Sequence, residues 1–129
     1  MKRKFVLIVL ALVLAFGAVS VVNAEVTSAT LSTNRTSNTS ANVSASASFD
    51  GVKDSITCTI TLQEKYNGSW RKATGVTKKS ASMTRKSSGS ILFPTKFTLI
   101  KGKVYRIKVK FTDKKGGRTT SSTYYSGSF

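Results

Sequence analysis

Apolar and polar residues alternate with a period of two in several separate stretches of this 129-residue chain. In the segment 41–50, ANVSASASFD, every second residue from Ala41 to Phe49 is apolar, and Asn, Ser and Asp occupy the other positions. The segments 55–66 and 105–111 repeat the pattern. Because successive side chains of a strand point to opposite faces of a sheet, such segments predict half-buried β-strands. The alternation therefore predicts an all-β fold.

The first 24 residues have the layout of a secretory signal peptide. Cations at positions 2–4 precede an apolar run from Phe5 to Val22, and small residues lead to Ala24 and then to Glu25. This layout predicts a signal-peptide helix over residues 1–24, cleavage before Glu25, and no stable membrane insertion afterwards. The alternative is an uncleaved anchor, because the apolar run is just long enough to cross a bilayer as a helix.

The charge of the chain is strongly basic. Twenty-one Lys and Arg residues face five Asp and Glu residues, which gives a net charge of +16. Removal of residues 1–24 would leave a charge of about +13 on residues 25–129. A chain of that length is expected to form a single domain with one core. Residues 25–40, where the alternation is weak, are expected to be partly flexible.

Strand signals recur about every 8 to 15 residues, a spacing typical of a sandwich or barrel. We predict seven or eight antiparallel strands, with the segment DGVKD at 50–54 as a turn. A short edge strand is predicted over Ser80 to Arg85. Pro94 is expected to interrupt the ladder between two short pieces, because proline donates no backbone hydrogen bond.

The dipeptide Asn67-Gly68 is the strongest hairpin signal in the chain, since both residues tolerate positive φ. A two-residue loop would pair Lys65 with Trp70 and place the indole on the polar side, where it could serve as a ligand platform. A three-residue loop would pair Glu64 with Trp70 and bury the indole. We favour the three-residue loop and a structural Trp70, because burial of an indole is worth a few kcal/mol.

The segment from Leu99 to Phe111 resembles a pattern of fibronectin type III and related immunoglobulin-like domains. Leu99 precedes a turn at Lys101 and Gly102, and Tyr105 begins the alternating apolar residues. The resemblance implies an antiparallel β-sandwich with Leu99 in a structural position. It also implies a tyrosine corner, in which the Tyr105 hydroxyl bonds to upstream backbone. Two features depart from the pattern: lysine stands at 101 where proline is usual, and the tryptophan follows a hairpin.

The whole chain also resembles small secreted proteins of Firmicutes-like bacteria. The hairpin TLQEKYNGSW and the later strand GKVYRIKV carry this likeness. This likeness implies a secreted protein with a β-sandwich fold. It implies no activity.

The residue inventory argues against an enzyme. The chain has no histidine, which removes the usual general base and the commonest metal ligand. Asp50 and Asp54 flank a turn and could hold calcium, but isolated acids of this kind are far more often turn residues. We therefore predict no catalytic residue, no metal and no cofactor. Cys58, the one cysteine, shares the parity of Ile56 and Ile60 and is predicted to be buried, with a reactive thiol as the alternative.

The cations of the last alternating segment point to binding. If Tyr105 and every second residue after it face the core, Arg106, Lys108 and Lys110 line the outer face of the same strand at roughly 7 Å intervals. Lys65 and Tyr124 are predicted to flank this stripe, with Tyr125 as the alternative to Tyr124. A basic stripe with hydroxyls beside it suits an anionic cell-wall or extracellular polymer. Nucleic acid is not expected as the physiological ligand, since the chain has few interleaved aromatics for base stacking.

The predicted function is thus a secreted binding module, free or associated with the cell wall. One alternative is a bacteriocin-like, membrane-active basic protein. Another is a structural matrix protein that polymerises through its sheet edges. The simplest interpretation of the cations is that they are dispersed over the surface and keep the protein soluble.

Overall fold

The described part of the chain is all-β. A computed structural model describes the backbone of residues 19–22 and 25–129, with side chains described from Glu25 onward. These residues form seven antiparallel strands and no helix, which confirms the predicted fold class at the level of an all-β protein. The strands are β1 Val19–Val22, β2 Val26–Ser37, β3 Ser40–Tyr66, β4 Ser69–Lys72, β5 Ser80–Thr98, β6 Tyr105–Lys115 and β7 Arg118–Tyr125.

The predicted signal-peptide helix covers residues that are mostly outside the described part of the chain. Residues 1–18 and 23–24 are not described, and the described Val19–Val22 are extended as β1. β1 pairs with β7, from Val19 opposite Tyr124 to Val22 opposite Ser121. Within the residues that are described, no helix is long and apolar enough to span a membrane. Cleavage before Glu25 stays a prediction.

The strands belong to one curled sheet with two parts. In the first part, residues 40–48 of β3 pair with β2 on one side and with residues 90–98 of β5 on the other. We call this part the β2 half-sheet. In the second part, residues 53–66 of β3 pair with residues 80–88 of β5, with β4 and with β6, and β6 pairs with β7. We call this part the β6 half-sheet.

The core lies between the two half-sheets. Phe49 of the β2 half-sheet meets Phe111 of the β6 half-sheet edge to face, with ring centroids 6.4 Å apart. Phe111 also meets Tyr124 at 5.7 Å. Cys58 is buried in this core, as predicted, and burial raises the pKa of its thiol to about 12. The thiol therefore stays protonated and unreactive at neutral pH.

Two predicted strand breaks are wrong. The segments 41–50 and 55–66 form the single strand β3, because residues 51–54 continue extended through a register shift between Ser48 and Lys53. β5 likewise runs through Pro94, which lies opposite Ser44. Along residues 90–98, β3 is the one described partner of β5, so the other edge is free to accommodate proline. Residues 25–129 consequently hold six strands rather than the seven or eight predicted.

β3 and β5 approach each other closely where they pass between the half-sheets. A Cβ atom on Gly89 would lie 3.3 Å from the carbonyl oxygen of Gly51. That distance is shorter than most Cβ contacts, so a larger residue at 89 would push the two backbones apart. Glycine at position 89 thus allows β3 and β5 to pass side by side from one half-sheet to the other.

Tyr105 ties the start of β6 to the preceding loop. Its ring is fully buried, and its hydroxyl accepts a hydrogen bond from the N–H of Ile100 at 2.9 Å. The guanidinium of Arg35 lies 5.6 Å from the ring centroid and donates to the carbonyl of Lys103 at 2.9 Å. Leu99 is buried just before this loop. These contacts fix the position of the start of β6. They therefore also fix the position of its outward side chains.

Candidate anion-binding face

The outer surface of β6 carries a column of cations. The inward residues of this strand, from Tyr105 to Phe111, are fully buried, so Arg106, Lys108 and Lys110 point away from the core. Arg106 and Lys108 are half-buried, and Lys110 is exposed. We call these three residues and their outward neighbours on β3, β4 and β7 the basic face.

The cross-strand neighbours of Lys108 and Lys110 are neutral and carry hydroxyl groups. Lys108 lies opposite Thr61 of β3 and Tyr125 of β7, and Lys110 lies opposite Thr59 and Thr123. Within residues 25–129, none of the three cations of the column forms a salt bridge. Their charge is therefore available to an anion from solution.

Arg106 is held between two aromatic rings. Its Cζ lies 4.6 Å from the centroid of Trp70 and 4.3 Å from that of Tyr125. Its Nε donates to the side-chain oxygen of Gln63, directly opposite on β3, at 2.7 Å. Partial burial lowers the pKa of Arg106 from its ordinary value, and the nearby Tyr125 opposes this effect. An arginine remains charged at neutral pH after such a shift.

The register of the β3–β4 hairpin places Trp70 on this face. Lys65 pairs with Trp70 across a two-residue loop, in which Asn67 and Gly68 have φ of 50° and 79°. The three-residue loop that we favoured from the sequence is therefore wrong. The indole is half-buried against Arg106 instead of entering the core, and the Nζ of Lys65 lies 6.0 Å from its centroid.

Tyr124 does not belong to the basic face. It is fully buried beside Phe111, and its hydroxyl has no hydrogen-bond partner in the described residues. Tyr125 takes the outward position that we predicted for Tyr124. The segment RTTSSTYY is polar at almost every position, so its sequence does not show which side chains face the core. Arg106, Lys108, Lys110 and Lys65 lie on one outer surface.

The carboxylates of the chain are engaged away from the column. Glu64 is buried and accepts hydrogen bonds from Arg71 at 2.8 Å, from Lys103 at 3.0 Å and from the N–H of Thr74 at 2.8 Å. Burial alone raises the pKa of this carboxyl, but the donors outweigh burial and lower the pKa to about 2. Glu64 is therefore an ionised structural residue that neutralises cations at the end of β3.

A second group of carboxylates surrounds the buried Lys53. Its Nζ bonds to Glu25, lies 2.8 Å from Asp50 and lies 3.7 Å from Asp113. Arg118 contacts Glu25 from outside at 3.4 Å. Burial acts to lower the pKa of Lys53, but its bonds to Asp50 and Glu25 prevail and raise the pKa. The ammonium is thus held charged and joins Glu25, the residue before β2, to β3 and β6.

Asp50 and Asp54, which we weighed as a calcium pair, have different partners. Asp50 contacts Lys53, and Asp54 accepts the backbone N–H of Gly116 at 2.9 Å.

The β2 half-sheet has a different outer surface. Two shallow depressions of about 360 and 510 Å³ lie there, lined mostly by Ser, Thr, Asn and Ala. Arg85 lines the first and Lys96 the second, and neither is lined by a carboxylate.

Comparison of the chain with protein-family models, with curated proteins and with solved structures finds no match. The function is therefore inferred from the geometry of the chain itself.

Several features of the basic face were not found from the sequence. Gln63 and Tyr125 position Arg106, and neither was singled out for that role. The Asn67-Gly68 dipeptide was the signal that could have placed Trp70, since it is typical of two-residue hairpin loops. The preference for a buried indole led to the wrong register.

Proposed function

We propose that this protein is a small secreted binding module that attaches to an anionic polymer of the cell surface through its basic face. The observation that carries the proposal is the arrangement of Arg106, Lys108 and Lys110 in one outward column of β6, beside Thr and Tyr side chains and with no carboxylate contact within the described residues. A column of unneutralised cations attracts polyanions and raises their association rate.

The proposal includes an immunoglobulin-like, fibronectin type III-like sandwich. In such domains the first, second and fifth strands share one sheet, and the third, sixth and seventh share the other. The pairing supports this assignment when β3 and β5 are each divided into halves. β2, the first half of β3 and the second half of β5 then lie together, and the second half of β3 lies with β6 and β7, with β4 and the first half of β5 added beside it. The hydrogen bond from Ile100 to the Tyr105 hydroxyl supports the same assignment.

A binding role is proposed rather than catalysis. Glu64, Glu25, Asp50 and Asp113 each contact a cation, and Asp54 is bonded to backbone, so these carboxylates serve the fold. The basic face is an open sheet surface, and its functional groups are cations, hydroxyls and half-buried rings.

The test is retention of purified protein on isolated cell walls, with Arg106, Lys108 and Lys110 changed together to Ser. The matched control removes the same charge elsewhere by changing the exposed Arg85, Lys96 and Lys101 to Ser. We expect the face variant to lose retention and the control to keep it. Retention of the unchanged protein should fall steeply as salt rises, because counterions compete for both partners.

Equal loss in the two variants would mean that net charge alone causes adhesion. Equal retention in both would remove the basic face from the binding mechanism.

A further inference from the structure

Arg106 is the arginine of the basic face, and its guanidinium is fixed without a carboxylate. Nε donates to Gln63 at 2.7 Å, and the rings of Trp70 and Tyr125 stand on either side. Within the described residues, Nη1 and Nη2 donate to no acceptor. Building on the proposed function, we infer that these two nitrogens form a fork for one phosphate of the polymer, and that the polymer is a polyol phosphate chain.

Two other arginines of the described residues already have acceptors for their guanidinium groups. Arg35 donates to backbone carbonyls, and Arg71 donates to Glu64. Arg106 differs because its position is held from three sides while its terminal nitrogens stay free within the described chain. A planar guanidinium with two parallel donors matches the oxygen pair of a phosphate or of a carboxylate, and a fixed side chain loses less entropy on binding.

Arg106 occupies one face of the Trp70 ring and one face of the Tyr125 ring, which bears on the kind of polyanion that fits. Trp70 and Tyr125 each turn a face to Arg106, and Trp70 also has Lys65 near it. Single-stranded nucleic acid is bound mainly by stacking of bases on free aromatic faces. Sugar rings of acidic glycans also pack on such faces. An anionic chain that has neither bases nor sugar rings needs no stacking partner.

The spacing of the column suits such a chain. Lys108 and Lys110 follow Arg106 at roughly 7 Å steps along the strand. A phosphodiester chain with a short polyol between phosphates has, when extended, a repeat of similar length. One phosphate could then meet each cation, while Thr61 and Thr123 offer hydroxyls to the polyol between them.

The experiment is calorimetric titration of the purified protein with poly(glycerol phosphate), polygalacturonate and single-stranded poly(dT) of matched anion number. Arg106→Lys keeps the charge and removes the fork, and Arg85→Lys makes the same change away from the basic face. We expect Arg106→Lys to weaken poly(glycerol phosphate) binding about tenfold or more, as loss of a charged hydrogen bond does. Arg85→Lys should bind within about twofold of the unchanged protein, since exposed cations contribute little individually.

The outcomes separate this inference from the proposed function. If Arg106→Lys binds like the unchanged protein while the triple serine variant loses binding, the fork is wrong and the basic face stands. Binding of polygalacturonate or poly(dT) as tight as that of poly(glycerol phosphate) would overturn the assigned polymer class. If the triple serine variant still binds every polymer, both proposals fall.

Discussion

Glu64 shows how a single residue organises one end of the molecule. It lies opposite Tyr105 in the ladder and binds Arg71 and Lys103 from separate segments. A buried carboxylate is costly unless donors satisfy it, and here two cations and Thr74 do so. The residue therefore stabilises the fold in a way that depends on pH.

We expect Glu64→Gln to lower the free energy of unfolding at pH 7 by about 2 kcal/mol, the usual contribution of hydrogen bonds to a charged group. The pKa of Glu64 falls from 4.5 to about 2 on folding. The contribution of Glu64 to the free energy of unfolding is consequently present above about pH 4.5, and it is lost as pH falls toward 2. Urea unfolding at several pH values should show a shallower acid dependence in the variant.

The control for this prediction is Asp54→Asn, which changes an exposed carboxylate with a single backbone partner. It should cost less stability at pH 7 than Glu64→Gln. An unchanged acid slope in Glu64→Gln would contradict the prediction.

Among the elements, the β3–β4 hairpin decides what the basic face contains. Its two-residue loop sets Trp70 opposite Lys65, and the same register brings the ring over Arg106. A loop one residue longer would turn every side chain of β4 to the other face. The Asn67-Gly68 dipeptide therefore controls both the hairpin and the site.

Gly68→Ala should reduce stability by about 1 kcal/mol, because φ of 79° is unfavourable for a residue with a Cβ. Thermal unfolding followed by circular dichroism would measure the loss. Gly127→Ala is a suitable comparison, since Gly127 is exposed and its φ is not positive. A Gly68→Ala protein as stable as Gly127→Ala would show that the turn does not need glycine.

The sequence predicts elements best where the alternation is strict. Residues 41–49 and 105–111 follow the period of two, and their inward residues are buried. Prediction failed where local turn signals competed with long-range pairing. DGVKD is typical of a turn, but Lys53 is drawn inward by the carboxylates of Glu25, just before β2, and of Asp113 in β6, and no local pattern reveals them. The same limit explains why Tyr124 was wrongly predicted to face outward. Its segment lacks the alternation of apolar residues that shows which side chains face the core.

At the scale of the molecule, β3 and β5 are shared by both half-sheets. They stay paired from Ser40 opposite Thr98 to Thr61 opposite Ser80, apart from the shift after Ser48. Neither half-sheet has a complete set of strands without them. The two half-sheets therefore depend on each other for their ladders and for the core between them.

We expect a single unfolding transition in urea for both half-sheets. Trp70, the one tryptophan of the chain, reports on the β6 half-sheet through its fluorescence. Hydrogen exchange of the amides of Ala41 to Phe49 reports on the β2 half-sheet. The two measurements should give the same free energy of unfolding, as expected for a cooperative unit. A lower value for either half-sheet would show that it opens separately.

The contacts of Glu25 and Phe129 lie at opposite ends of the strands, which has a mechanical consequence. Glu25 is tied to Lys53 and Arg118 at one end of the strands, whereas the backbone of Phe129 pairs with that of Tyr105 at the other end. Tension applied between residues 25 and 129 would thus act along the strands. Ladder hydrogen bonds lie across the strands, so they would be loaded in shear and would resist together. The fold should therefore resist being pulled open between these two residues.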